Sequence, residues 1–264
     1  MCHHKVSATS AFLYLYKMKE IFKHYLQSRH YSQFDIKAIL FDMDGVLYDS
    51  MPAHAKSWQE TFEEYGFEST TPEEFYLHEG RIGSRTIEMI YERERHRTPS
   101  PEEINEFYTR KTELFYRYNS GDIISGANET LRHVKACGWL PILVTGSGQP
   151  SLLERLDNNF PDIFTPETMI TAHNVKKGKP HPEPYLMALQ KAGNIQPWQA
   201  LVVENAPLGV ESAHKANIFT IAVNTGPLSN SVLKEAGANL VLDSMKKLNE
   251  CLDEIVKITK TVVV

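Results

Sequence analysis

The strongest constraint on the fold is one stretch, Lys37-Ala38-Ile39-Leu40-Phe41-Asp42-Met43-Asp44-Gly45-Val46-Leu47-Tyr48-Asp49-Ser50. Its short, continuous apolar run reads as a strand buried on both faces. The run stops at two carboxylates one residue apart. Glycine follows, where a sharp turn is easiest to make. Acids at the end of a buried strand are costly to hold unless a cation or a ligand uses them. A strand buried on both faces needs helices on both sides, which points to an α/β fold with a parallel sheet.

The chain beyond Ile123 fits that expectation. Strands are expected at Leu140–Val144, Met169–Ile170, Ala200–Val203, Phe219–Val223 and Leu240–Leu242. Helices are expected between them, over Gly126–Cys137, Ser151–Asn159, Pro182–Ala192, Leu208–Ala216 and Ser231–Ala236, and after the last strand from Ser244 to about Ile258. Such sheets bind ligands at the carboxyl ends of their strands. Residues 51 to about 122 are different, with helical periodicity, many charges and no convincing strand. Ala55, Trp58, Phe62 and Tyr65 share one helical face. Thr71-Pro72-Glu73-Glu74 and Ser100-Pro101-Glu102-Glu103 both read as helix starts. The expected organisation is a Rossmann-like core from residues 36–51 and 123–264, a helical cap of four or five helices from 52–122, and a loosely packed extension over 1–35. Within that extension Ala11–Gln27 suits an amphipathic helix, with membrane-surface contact the lesser reading. Met18 is a second candidate start. His3 and His4 are too few to make a metal site.

Composition removes several classes of function. A net charge of -5 argues against nucleic acid as the main partner, because phosphate-backbone binders need a basic surface. It leaves room for small anions held by a metal and local cations. Cys2, Cys137 and Cys251 are far apart and odd in number, so neither a disulfide framework nor a cysteine zinc site is expected. No apolar run approaches the roughly 18 residues of a membrane span. The expectation is a cytoplasmic monomer whose partner is a small anion rather than nucleic acid or a membrane.

Four polar clusters follow expected strands. In Asp42-x-Asp44-Gly45, one carboxylate can attack phosphorus while the second moves protons. Attack on a phosphate dianion needs a cation between the two anions, for which Mg²⁺ is the candidate. In Thr145-Gly146-Ser147-Gly148 a hydroxyl and exposed N–H groups can cradle an anion. In Lys177-Gly178-Lys179-Pro180-His181-Pro182 the prolines fix the backbone and Lys179 can neutralise a phosphate and an aspartate. Lys177 reads as solvated, and His181 has no evident partner. Glu204-Asn205 after Val202-Val203 supplies oxygen, which Mg²⁺ prefers. Each cluster alone has an ordinary reading as a turn or helix cap; four together in one α/β chain do not.

As a set, D-M-D-G-V-L-Y-D-S, V-T-G-S, G-K-P-x-P and V-V-E-N-A-P-x-G-V resemble the four ordered motifs of the haloacid dehalogenase superfamily. The resemblance covers about residues 36 to 245 and is nearest the β-phosphoglucomutase-like branch. It implies Asp42 as nucleophile, Asp44 as acid/base, and Thr145 and Lys179 as phosphate ligands. It also implies Mg²⁺ held by Asp42, the Asp44 carbonyl and the Glu204-Asn205 pair. Dehalogenating members lack the second aspartate and need no metal, so Asp44 favours phosphoryl transfer.

Two features depart from the branch. Asn205 stands where an acid is usual, and it brings an oxygen without charge. In the loop Leu77-His78-Glu79-Gly80-Arg81-Ile82-Gly83, Glu79 is a candidate metal ligand and Arg81 a candidate substrate contact. His54 matches D-S-x-x-x-H-x-x-x-W and is a candidate for proton transfer near the leaving group, along with Gly146 and Ser147 as phosphate contacts. H-E-G-R, V-T-G-S-G-Q and E-N-A-P-L-G-V resemble a Bacteroides-type pyrophosphatase of the superfamily, which implies inorganic pyrophosphate as substrate. The alternatives are isomerisation of β-glucose 1-phosphate to glucose 6-phosphate, and phosphate binding without turnover. Asp44 and Lys179 together argue against the last.

Overall fold

A computed structural model describes residues 8–147 and 152–264. Helix α1 (Ala8–Arg29) leads into strand β1 (Ala38–Phe41). Four helices follow as an insert: α2 (Met51–Glu64), α3 (Pro72–Leu77), α4 (Gly83–Arg95) and α5 (Pro101–Tyr118). The chain then alternates through α6 (Ala127–Ala136), β2 (Leu140–Val144), α7 (Leu152–Asn159), β3 (Met169–Ile170), α8 (Glu183–Lys191), β4 (Ala200–Glu204), α9 (Pro207–Lys215), β5 (Phe219–Val223), α10 (Asn230–Glu235), β6 (Leu240–Leu242) and α11 (Met245–Thr261). The strands form one sheet, in the order β3-β2-β1-β4-β5-β6, and every neighbouring pair is parallel.

The sheet follows from the period-two alternation of its strands. Ala38 and Leu40 face one side, where they meet Ile142, Val144, Ala200, Val202 and the apolar faces of α8 and α9. Ile39 and Phe41 face the other side, with Leu143, Leu201, Val203 and residues of α1, α6 and α11. With both faces covered, β1 can be apolar throughout. Its centre position, between β2 and β4, puts Asp42 in the middle of the sheet edge.

The insert has a core of its own, built from Ala55, Trp58, Phe62, Phe67, Phe75, Ile87, Ile90, Tyr91 and Phe107. The starts of α3 and α5 are the ones the sequence signals. The Thr71 side chain accepts from the Glu74 N–H at 3.4 Å, and Pro72 sits in the first turn. Ser100 and Glu103 form a reciprocal capping box, at 3.3 and 2.7 Å.

Helix α1 differs from the loosely packed extension expected of residues 1–35. Met18, Phe22, Tyr25 and Leu26 are buried against the sheet. The Phe22 ring stacks on Phe219 of β5 with centroids 4.1 Å apart. The Tyr25 hydroxyl donates to the Asn217 carbonyl at 2.6 Å. The spacing 18, 22, 25, 26 is a helical stripe. The exposed lysines at 17 and 19 dilute that stripe and hide it in the sequence. Cys2, His3 and His4 lie outside the described residues. No helix among the described residues is long and apolar enough to cross a membrane.

If α1 is part of the core, Phe22→Ala costs about 3–5 kcal/mol of stability, the usual range for a buried phenylalanine. Tyr16, more than half exposed, is the control. Denaturant unfolding in which both alanine variants shift the midpoint equally refutes the assignment.

Candidate active site

The site stands where the central strands end. Asp42 still holds sheet register, its N–H donating to the Val203 carbonyl at 3.0 Å. The chain then turns through Gly45, whose φ of +82° is a conformation glycine adopts without strain. A Cβ there would meet the Asn205 amide at 1.8 Å, so the turn and Asn205 fit each other only through glycine. The Thr225 hydroxyl pins the Gly45 carbonyl at 2.6 Å. Past the turn, the Ser50 hydroxyl donates to Asp44 Oδ1 at 2.5 Å and His54 Nε2 lies 3.5 Å from the same oxygen.

Lys179 is the centre of the buried charges. Its Nζ donates to Asp42 Oδ1 at 2.5 Å, to Glu204 Oε1 at 2.7 Å and to the Val144 carbonyl at 3.0 Å. Glu204 is taken up on both oxygens. Oε1 also accepts from the Tyr185 hydroxyl at 2.8 Å, and Oε2 accepts the Asn205 and Ala206 N–H groups at 2.9 and 3.2 Å. The geometry therefore gives Glu204, expected as a metal ligand, a supporting contact with Lys179 and the following loop. Its carboxylate fills the place where residue 209 would carry a side chain: a Cβ on Gly209 would sit 1.7 Å from Oε1.

The remaining expected residues fall on two sides of this triad. Thr145 is buried at the end of β2, and its hydroxyl accepts from the Ser147 N–H at 3.0 Å. Gly146 and Ser147 continue that loop; Gly148 lies outside the described residues. On the insert side, His54 and Glu79 join a residue that the sequence reading missed, Lys111. Lys111 is buried on α5, its Nζ 2.9 Å from His54 Nδ1 and 4.8 Å from the centre of the Phe115 ring. The available signal was a lysine on the same helical stripe as Phe107, Leu114 and Phe115. Tyr185 and Ser50 were also given no role; Ser50 stands in the D-S-x-x-x-H-x-x-x-W pattern, while Tyr185 has no sequence signature. Arg81 has a buried Nε without a hydrogen-bond partner. Lys177 is exposed, while His181 has a partner after all, accepting from the Glu183 N–H at 3.2 Å.

The loop around Glu79 lies directly on the core. A Cβ on Gly80 would come within 3.0 Å of the Lys179 Cδ, and one on Gly146 within 3.6 Å of the Gly80 carbonyl oxygen. A Cβ on Gly178 would meet Ile82 at 3.0 Å. Glycines on both sides of this seam let the loop approach the Lys179 stem and the loop after β2.

The charges are set by burial and neighbours. Burial pushes the Asp42 carboxyl well above the usual carboxylate range, Glu204 adds to the push, and Lys179 opposes it. Burial works against the Lys179 charge, but Asp42 and Glu204 outweigh it and raise the ammonium pKa. Burial also acts against Asp44, yet its contacts with His54 and Ser50 and the nearby Arg155 bring it down to about 2. Burial raises Glu79 against the pull of His54 and Lys111. It lowers Lys111 to about 8 despite the nearby Glu79 and Asp44.

The residues fit a hard divalent cation. Asn205 Oδ1 is buried and has no hydrogen-bond partner, which leaves a lone pair beside the two aspartates' turn. No three His, Cys, Asp or Glu side chains among the described residues form a metal cluster. The Asp42 carboxylate, the Asp44 backbone carbonyl and the Asn205 amide oxygen instead suit Mg²⁺, which takes few protein oxygens and keeps several waters.

Gly209→Ala tests the support role of Glu204. The added methyl displaces the carboxylate from Lys179, so kcat falls about 10- to 100-fold for a misplacement of this size. Wild-type kcat in a folded Gly209→Ala variant refutes that role.

Known proteins resemble this chain over most of its length. A hexitol phosphatase A of Escherichia coli (strain K12) is 32% identical over 217 residues, covering 80% of this chain and 93% of the relative. A phosphorylated carbohydrates phosphatase of Thermotoga maritima is 31% identical, covering 81% and 97%. Among solved structures, a Bacteroides vulgatus protein provisionally named a β-phosphoglucomutase is 49% identical, with a TM-score of 0.88 and coverage of 92% and 98%. The family model for haloacid dehalogenase-like hydrolases matches residues 39–223. The chain therefore belongs to the haloacid dehalogenase-like hydrolase family.

Proposed function

We propose that this enzyme is a Mg²⁺-dependent phosphohydrolase acting through a phosphorylated Asp42, with inorganic pyrophosphate as its first-choice substrate. The observation that carries the substrate choice is Glu79. It sits on the insert's loop, against Lys179 and the loop after β2, within electrostatic range of Asp44, His54 and Lys111. The insert acts as a cap. Its loop leaves little depth above the phosphate loop, and an acid there favours a small, metal-chelated anion over a bulky neutral one.

Lys179 sits against Asp42 and pulls it toward the ionised, nucleophilic form, opposing the burial that favours the neutral acid. The Asp42 oxygen forms a bond to phosphorus as the bond to the leaving oxygen breaks, and that oxygen takes the proton that Asp44 shares with His54 beside it. In the second half Asp44 takes a proton from water, whose oxygen attacks phosphorus and releases phosphate from Asp42. Thr145, Gly146 and Ser147 hold the transferring phosphoryl group. Asp42, the Asp44 carbonyl and Asn205 would hold Mg²⁺, with Glu79 joining from the cap; the ion supplies the positive charge that lets an anionic nucleophile approach phosphate. Lys111 and His54 face the leaving group.

A second reading has the same chemistry on a sugar phosphate. It is favoured by the names of the relatives, two carbohydrate phosphatases and a provisional mutase. A panel of pyrophosphate, β-glucose 1-phosphate, hexose 6-phosphates and hexitol phosphates separates the two. Fastest phosphate release from pyrophosphate is expected. Glucose 6-phosphate formation without phosphate release would overturn hydrolysis altogether, and turnover unchanged in Asp42→Asn would overturn the mechanism.

Lys111 gives the reading a pH signature. It is cationic below about pH 8 and neutral above, so its attraction for an anionic substrate is lost as pH rises. The expected kcat/KM profile falls above about pH 8, and that limb disappears in Lys111→Met. A limb that persists in the variant belongs to another group.

A further inference from the structure

Arg155 has no part in the chemistry derived above, yet it sits behind the turn that carries Asp44. It lies on α7, the helix that follows the phosphate-holding loop. Its guanidinium carbon stacks over the Tyr48 ring, 4.3 Å from the centroid, and Nη2 lies 3.8 Å from the Met43 sulfur. Met43 is the residue between the two aspartates. The Nε is buried without a partner, so what fixes this guanidinium is its fit to Tyr48 and Met43, not full hydrogen bonding.

Tyr48 links that fit to Asp44. Its side chain is buried and is held by α7 at two points. The hydroxyl donates to the Arg155 carbonyl at 3.3 Å and accepts from Asn159 Nδ2 at 3.0 Å. Its backbone pairs with the aspartate turn: Tyr48 N–H donates to the Met43 carbonyl at 3.1 Å, Gly45 N–H donates to the Tyr48 carbonyl at 2.8 Å, and Tyr48 bridges Asp44. Two residues on, Ser50 bonds the Asp44 carboxylate itself. Tyr48 is therefore a rigid spacer, with α7 on one side and the Asp44 backbone on the other.

We infer that Arg155 is a positioning residue for Asp44, clamping Tyr48 and Met43 so that the acid/base carboxylate keeps its place relative to the phosphoryl group held by the loop before α7. The inference rests on the acid/base role proposed for Asp44. Arg155 also contributes a cation within range of Asp44, in the direction that favours its carboxylate. Geometry alone carries the argument: one helix, reached through the phosphate loop, grips the turn between nucleophile and acid. Lysine cannot replace the guanidinium here, because its ammonium lacks the planar face that stacks on Tyr48.

The test uses the dependence on the leaving group. Acetate leaves acetyl phosphate without needing a proton, whereas the leaving oxygen of the best substrate in the panel does need one. Loss of well-placed acid help therefore slows the second far more than the first. Arg155→Met and Arg155→Lys are compared with wild type and Asp44→Asn, with folded fraction measured by circular dichroism and kcat/KM expressed per folded molecule. That ratio reports phosphorylation of Asp42 and leaves out its later hydrolysis, which is common to both substrates. The expected result for Arg155→Met is a kcat/KM lower by about 10- to 100-fold on the proton-requiring substrate, part of the effect of losing general acid catalysis. On acetyl phosphate kcat/KM falls by no more than about 3-fold, because no proton has to be delivered there. Arg155→Lys shows the same asymmetry and serves if the methionine variant does not fold. Equal losses on both substrates in the Arg155 variants, beside an asymmetric Asp44→Asn, assign Arg155 to structure and overturn the inference. A symmetric Asp44→Asn removes the acid/base role and the inference with it.

Discussion

A lysine buried between two carboxylates organises this molecule. Lys179 reaches from the loop before α8 to Asp42 on β1 and Glu204 on β4, and binds the Val144 carbonyl at the end of β2. Three adjacent strand ends are thus tied by one ammonium. Charges in such a place are expensive, since each loses several kcal/mol of hydration and only excellent geometry repays it. The geometry here is close to complete. Glu204 receives four donors, and the ammonium has three acceptors for its three protons. What such an arrangement secures is position more than stability. The nucleophile candidate Asp42 is held at one point, beside a fixed cation that opposes the upward push of burial on its carboxyl.

The space for that triad is made by the residues that are absent. Gly209 leaves room for the Glu204 carboxylate, Gly45 for the Asn205 amide, and Gly80 for the Lys179 stem. At these three places a methyl group would collide with a polar side chain of the site. The glycines of the motifs are therefore part of the electrostatics: each sets how near a charged or polar group can come to its partner. The insert meets the core by the same device, through Gly80, Gly146 and Gly178.

Much of this was legible in the sequence, and for identifiable reasons. The β-strands were readable because a parallel sheet buried on both faces makes short uninterrupted apolar runs, as in Ala38–Phe41 and Ala200–Val203. The starts of α3 and α5 were readable because Thr71-Pro72 and Ser100-Pro101 solve a local problem with local residues. Asp42, Asp44 and Thr145 stood out because polar residues directly after buried strands need a use, and Lys179 because Pro180 and Pro182 fix the loop that carries it. Helix α1 was obscured by tolerance: its stripe of Met18, Phe22, Tyr25 and Leu26 is interleaved with lysines, and its partners on β5 lie nearly two hundred residues away. Glu204 was recognised as a site residue, but its partners were not legible. Sequence shows that an acid ends β4, not that Lys179, Tyr185 and two N–H groups donate to its oxygens.

Lys111 shows where one-dimensional reading stops. On α5 it occupies a place in the apolar stripe, and a lysine there reads as a solvated residue at the stripe's margin. In the fold that stripe faces two ways, toward the insert's own aromatic core and toward the cleft over Asp44. A residue at the boundary between the two is surrounded by apolar groups and still close to Glu79 and Asp44, so burial brings its ammonium down to about 8 while they pull the other way. On the proposed reading, the motifs on the strand ends set the reaction class, and what distinguishes one substrate from another comes from groups that meet the rest of the ligand. The proposed candidates are Glu79, His54 and Lys111, all on the insert and joined by contact and charge rather than by any spacing in the sequence.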